Sequence, residues 1–228
     1  MRTLLLGTLL CLSIPAMAQE RVFYAGFFPE AALTGSVSER WQLTFKVESQ
    51  HGSYDEREED GERWEYFHDR TDLQGFVALK INPFWKVSGG YQYRLEGGEG
   101  VNSHRSIQQV AYVQQLRRVR LGHRLRTDQT YLPDEATEVR LRYRLSVELP
   151  LAGESVDPGE FYLLLSDELI GSYQANAGEV ENRLVGSLGH YFGKQAKLEG
   201  GLDYRTDRYV AEGFRQRLWF KVGAYLSI

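Results

Sequence analysis

The 228-residue chain has one cysteine, two methionines and six prolines. The cysteine, Cys11, lies in an apolar run from Leu4 to Ile14 that follows Arg2 and closes on Ala16-Met17-Ala18. A basic residue, a short apolar core and an A-x-A site form the pattern of a secretory signal peptide. The run is too short for a membrane helix, which needs roughly 20 apolar residues. Residues 1–18 are therefore expected to be removed near Ala18, and the mature chain, starting at Gln19, has no cysteine for a disulfide or a metal. Leu10 rather than a small residue precedes Cys11, so no lipid anchor is expected. Basic excess is missing too: once Arg2 leaves, 26 Lys and Arg face 31 Asp and Glu, a net charge of −5. An exported, mildly acidic chain is a poor match for nucleic acid, which is excluded as a partner. No glycine-rich phosphate loop occurs, and His123 and His190 have no ligand partner at short spacing, so no cofactor and no metal are expected. Nothing resembling a linker divides the mature chain.

What the chain has instead is alternation, clearest between Arg118 and Leu149. Val119, Leu121 and Leu125, then Val139, Leu141, Tyr143, Leu145, Val147 and Leu149, form one set of every-second residues. Arg118, Arg120, Arg124 and Arg126, then Arg140, Arg142, Arg144 and Glu148, form the other. A period of two places successive side chains on opposite faces of a β-strand, and the polar segment Thr127 to Ala136 makes the two strands antiparallel neighbours. A helix would scatter the arginines around its whole surface.

The rest of the chain follows the same rhythm. Strands are expected at Ser38 to Gln50, around Leu73 to Ile81, at Phe84 to Glu96, Arg105 to Leu116, Phe161 to Tyr173, Asn182 to Phe192, Ala196 to Thr206 and Phe214 to Ile228. In Arg105 to Leu116 the alternation is weak enough for a bulge or a change of face. The facing of Asp167 and Glu168 is undecided in a strand that is otherwise almost wholly apolar. Residues 19–37, interrupted by Pro29, are an extra strand or a plug, and residues 38–228 form the main body. Tight junctions at Asn82-Pro83, Arg117-Arg118 and Gly193 to Gln195 alternate with polar loops starting at Gly52, Gly97, Gln129, Gln174 and Asp207, with Pro150 to Gly159 as an exception. Ten strands of this length with such asymmetric connections predict an all-β, closed, antiparallel up-and-down barrel crossing an outer membrane, with twelve strands if residues 19–37 add a hairpin.

The last strand alternates to its final residue, through Leu218, Phe220, Val222, Ala224, Leu226 and Ile228. Lys221 to Ile228 resembles the C-terminal signal read by barrel-assembly machinery, except that Ile228 stands where phenylalanine is usual. The mature chain as a whole resembles the bacterial family called domain of unknown function 2490. The residues carrying that resemblance are Trp41-Gln42-Leu43, Arg124-Leu125-Arg126, Arg140-Leu141-Arg142-Tyr143-Arg144, Glu168 and Glu181-Asn182-Arg183. It implies an outer-membrane barrel of a Gram-negative bacterium and carries no activity with it.

In lipid the oily face must point outward. The clear strands then put Lys46, Lys80, Lys86, Arg94, Arg120, Arg124, Arg126, Arg140, Arg142, Arg144, Lys197, Arg205, Arg217 and Lys221 inside, with Glu48, Asp72, Glu96, Glu148, Glu199 and Asp203. One reading fills a narrow lumen with ion pairs, giving a structural or narrow-pore protein whose acid partners are Glu48, Glu96, Glu148, Glu168 and Asp203. A second makes Arg120, Arg124, Arg126, Arg140, Arg142, Arg144, Arg94 and Arg205 a site for a small anion or a lipopolysaccharide headgroup. The two differ over whether carboxylates such as Glu96, Glu48, Asp167 or Glu168 reach the arginine wall or an outside anion neutralises it. A third reading is an outer-membrane lipid hydrolase built on His104 and Ser106, which lacks an evident orienting group, so a catalytic role is not expected. A fourth is a soluble periplasmic barrel with the alternation inverted.

Overall fold

The computed structural model describes residues 22–57, 63–193, 195–209 and 213–228. The proposed signal peptide lies outside them. The described residues form strands and no helix: β1 Val22–Ser36, β2 Trp41–Asp55, β3 Phe67–Lys80, β4 Trp85–Glu96, β5 Ser103–Leu116, β6 Val119–Tyr131, β7 Glu138–Pro150, β8 Phe161–Gln174, β9 Ala177–Phe192, β10 Ala196–Asp207 and β11 Arg215–Ser227. Each strand pairs with its sequence neighbours and β1 pairs with β11, which closes the barrel.

The strand count is eleven rather than ten or twelve, because Val22–Ser36 is neither a plug nor a hairpin but a wall strand. An odd number of up-and-down strands brings the first and last into the same direction, so the closure is parallel while every other pairing is antiparallel. Pro29 sits in this strand opposite Val222 of β11. The register runs from Val22↔Arg215 to Thr34↔Ser227, and the Ile228 N–H donates to the Thr34 carbonyl at 2.9 Å, which fixes the last residue of the chain in the wall.

Two further expectations change. The polar stretch from Gln174 is not a loop: Ala175 and Asn176 alone join β8 to β9, both with positive φ (48° and 68°). Two consecutive left-handed residues are what a two-residue hairpin between right-twisted strands requires, and the Tyr173 hydroxyl donates to Asn176 Oδ1 at 3.1 Å across it. β5 keeps an unbroken register with both neighbours. The irregularities fall instead at Ala25/Gly26 and Gln50/His51, where a register shift in one strand increases local twist.

The alternation is resolved with the apolar set outside. Phe45, Leu141, Leu169 and Phe220 are each more than half exposed, whereas Asp72, Arg126, Asp128, Arg142, Glu168, Asp203 and Arg205 are buried in the interior. The lumen is not wholly polar, since Phe28, Ile107, Tyr162, Ile170 and Trp219 fill it between the charged groups. Glycines make room for the rings. A Cβ on Gly189 would lie 2.2 Å from the ring of Tyr162, its cross-strand partner, and one on Gly90 would lie 2.3 Å from Phe76. Tyr162, Leu164 and Ile170 inside, with Phe161, Leu165 and Leu169 outside, explain why β8 reads as apolar on both faces.

Candidate functional site

The functional candidates converge in the lumen, because each strand that lines it contributes every second side chain to one enclosed space. The arginine wall belongs to β6 and β7, where Arg124 lies opposite Arg144 and Arg126 opposite Arg142. Like charges in such positions repel, and two buried carboxylates hold them together. Glu168, on the neighbouring β8 and 1% exposed, accepts from Arg124 Nη2 at 2.7 Å, from Arg142 Nη2 at 2.8 Å and from Arg144 Nη2 at 3.2 Å. Asp128, fully buried on β6 itself, accepts from Arg126 Nε at 2.5 Å and Arg142 Nη1 at 3.2 Å. Arg142 bridges the two acids, using the fork that lets one guanidinium serve two carboxylates. The wall is thus neutralised from the adjacent strand and from within, not from across the lumen.

The eight arginine candidates do not make one site. Arg120 stands apart near the tight-turn end, its side chain 48% exposed and 3.5 Å from Glu148. Arg140 donates to Glu138 at 2.5 Å. Arg94 makes a two-pronged contact with Asp72 (2.7 and 2.8 Å) and reaches Glu96 at 3.6 Å, and Arg205 makes the same kind of contact with Asp203 (2.9 and 2.7 Å). Of the acid candidates, Glu48 is held by Lys46 at 2.6 Å and by the Gln74 amide at 2.8 Å. Asp167 is not a lumen partner: it faces outward, where Asn182 Nδ2 donates to it at 2.7 Å. One residue's difference in facing separates it from Glu168.

A second cluster lies at the closure. Glu30 on β1 meets Lys46 Nζ of β2 at 3.0 Å, Lys221 Nζ of β11 at 3.1 Å and the Tyr225 hydroxyl of β11 at 2.6 Å. One carboxylate therefore ties both sides of the parallel seam. Towards the loop end, Arg217 bridges Glu181 (3.0 Å) and Asp207, and Arg183 pairs with Glu181 at 2.8 Å. Glu30, Glu138 and Asp207 escaped the sequence reading because their segments were read as a plug, a loop or a strand start, and Glu181, named only for the resemblance, was not assigned to the lumen. Continuing the period of two outward from Arg140, Arg183 and Arg205 reaches Glu138, Glu181 and Asp207, whereas Glu30 lies in a strand that only the closure defines.

Between these clusters lies a cavity of about 440 Å³ whose lining includes nine arginines, three lysines and six acids. On the exterior near the loop end, His104 and Ser106 project from β5. Ser106 Oγ donates to Gln129 Oε1 at 2.7 Å, and His104 Nδ1 lies 2.5 Å from the Tyr91 hydroxyl. Among the described residues no hydrogen bond joins the histidine to the serine.

A family model described as a protein of unknown function, DUF2490, matches residues 25–213. The chain belongs to the DUF2490 family. No curated protein and no solved structure matches it. Of the residues by which the chain resembles DUF2490, the arginines of β6 and β7 meet Glu168 in the wall, Glu181 pairs with Arg183 on β9, Asn182 between them holds Asp167 outside, and Trp41 and Leu43 lie apart on the outer face of β2.

Proposed function

We propose that this DUF2490 protein is an outer-membrane barrel whose interior is sealed by ion pairs, with a structural or binding role rather than a conducting or catalytic one. The observation that carries this reading is the arginine wall. Arg124, Arg126, Arg142 and Arg144 are tied to Glu168 and Asp128, whereas anion-selective pores present cations to the permeating ion. The ring of aromatic and aliphatic side chains on the outside supports the membrane setting, since contiguous apolar surface of this extent is costly in water and suits lipid. Trp41 and Trp85 near the tight-turn end, with Tyr91, Tyr131 and Tyr173 near the other, fit interfacial girdles. A soluble barrel with apolar side chains inside conflicts with the charged lumen. Val222, Leu226 and Ile228, exposed at the end of β11, suit recognition of Lys221 to Ile228 by barrel-assembly machinery.

Cell fractionation tests the location: the mature protein is expected with the outer membrane, and its recovery from the soluble periplasm after osmotic shock overturns the reading. Planar bilayers test the seal, with a stable anion-selective current as the opposing result. Ser106 spends its proton on Gln129, so no phospholipid hydrolysis is expected. Hydrolysis abolished by Ser106→Ala would reverse that part.

A further inference from the structure

Arg105 sits on β5 two residues from its loop-end start, 3% exposed. Its Nε donates to Thr130 Oγ1 at 2.9 Å, while its Nη2 is buried and donates to no protein acceptor. Arg126, Arg142, Arg205 and Arg217, buried to a similar degree, each hold a carboxylate. Among the described residues Arg105 has no carboxylate within the same reach. Directly opposite on β4 is Gln92, 2% exposed, whose Nε2 also lacks an acceptor. Both residues line the 440 Å³ cavity, where cations outnumber acids twelve to six.

An unpaired buried guanidinium is costly, and a second donor without an acceptor belongs to its cross-strand partner. What satisfies both is an acceptor with negative charge. Guanidinium forks and amide N–H groups together match the oxygens of a small oxyanion, and the cation excess of the lining raises its local concentration. We propose that Arg105 and Gln92 form a buried site for a small oxyanion of the phosphate or sulfate class. The arginine wall itself is not that site, because its own acids occupy it. The proposal holds whether or not the barrel lies in a membrane, so the fractionation and conductance experiments can fail without affecting it.

The test is calorimetric titration of inorganic phosphate into the folded, detergent-solubilised full chain, with ionic strength held constant by chloride. Saturable binding is expected, weakened at least tenfold by Arg105→Gln, weakened also by Gln92→Leu, and unchanged by Arg120→Gln. If Arg105→Gln fails to fold, Arg105→Lys and Gln92→Leu carry the test, since each removes part of the donor set while leaving the charge. Displacement of the phosphate by a short-chain phosphatidic acid identifies a lipid headgroup as the source, and resistance to it identifies a free anion. No saturable binding by the natural protein, or equal binding by the natural protein and the Arg105 and Gln92 variants, overturns the proposal and leaves water as the partner of both donors.

Discussion

Two glutamates hold different parts of this lumen in different ways. Glu168 gathers three arginines from β6 and β7 beside β8, and Glu30 gathers two lysines and a tyrosine across the parallel seam. At the wall four arginines share two acids. At the seam Lys46 pairs with Glu30 and Glu48 and Lys221 with Glu30, and the charges balance. The wall is therefore the more dependent on each acid, while at the seam Glu48 stays in reserve for Lys46. Guanidinium forks permit that crowding because each spreads its donors over two acceptors, which an ammonium point charge cannot match in fixed geometry.

The largest expected effect is at Glu168→Gln. It leaves Arg124 and Arg144 with no carboxylate partner in the wall, and removing one partner of a buried ion pair costs about 3–5 kcal/mol. Urea unfolding followed by heat-modifiable gel migration should show the barrel losing that much stability, and a cost near zero would mean the wall is neutralised otherwise. Glu30→Gln should cost less, about 1.5–3 kcal/mol from the lost charge-assisted hydrogen bonds, because Glu48 still holds Lys46. A larger loss here than at Glu168 would invert the comparison and make the seam the weak point of the barrel.

Arg142→Gln sharpens the comparison further. Neither acid is stranded, since Glu168 keeps Arg124 and Arg144 and Asp128 keeps Arg126. Relief of repulsion with Arg126 opposite offsets part of the loss, so the same unfolding assay should read about 1–2 kcal/mol. Arg120→Gln is expected to be smallest, below about 1 kcal/mol, because its pair with Glu148 is long and half in solvent. A cost there equal to that of Arg142 would show that wall and rim are one network.

Much of the barrel was legible in the residues. The period of two in β2, β4, β6, β7, β10 and β11 needs only the pleat to assign faces, and the polar turn between β6 and β7 places their arginines side by side. Three elements resisted. Val22–Ser36 is apolar, aromatic and carries a proline, and its role depends on a partner almost two hundred residues away. Gln174 to Glu181 has loop composition, yet two left-handed residues suffice to turn it. β8 is apolar on both faces, so only its register against Arg144 and Arg183 distinguishes Glu168 from Asp167.

Side-chain direction in a strand is a local property, so the order of residues dictates the alternation, and with it the strands, a charged face and an oily face. That the strands number eleven, that closure is parallel, and which acid meets which arginine emerge only on folding. Those depend on long-range pairing and on guanidinium reach across neighbouring strands. The same holds for Arg105: its charge was always visible, but its lack of a carboxylate partner exists only once the barrel has closed around it.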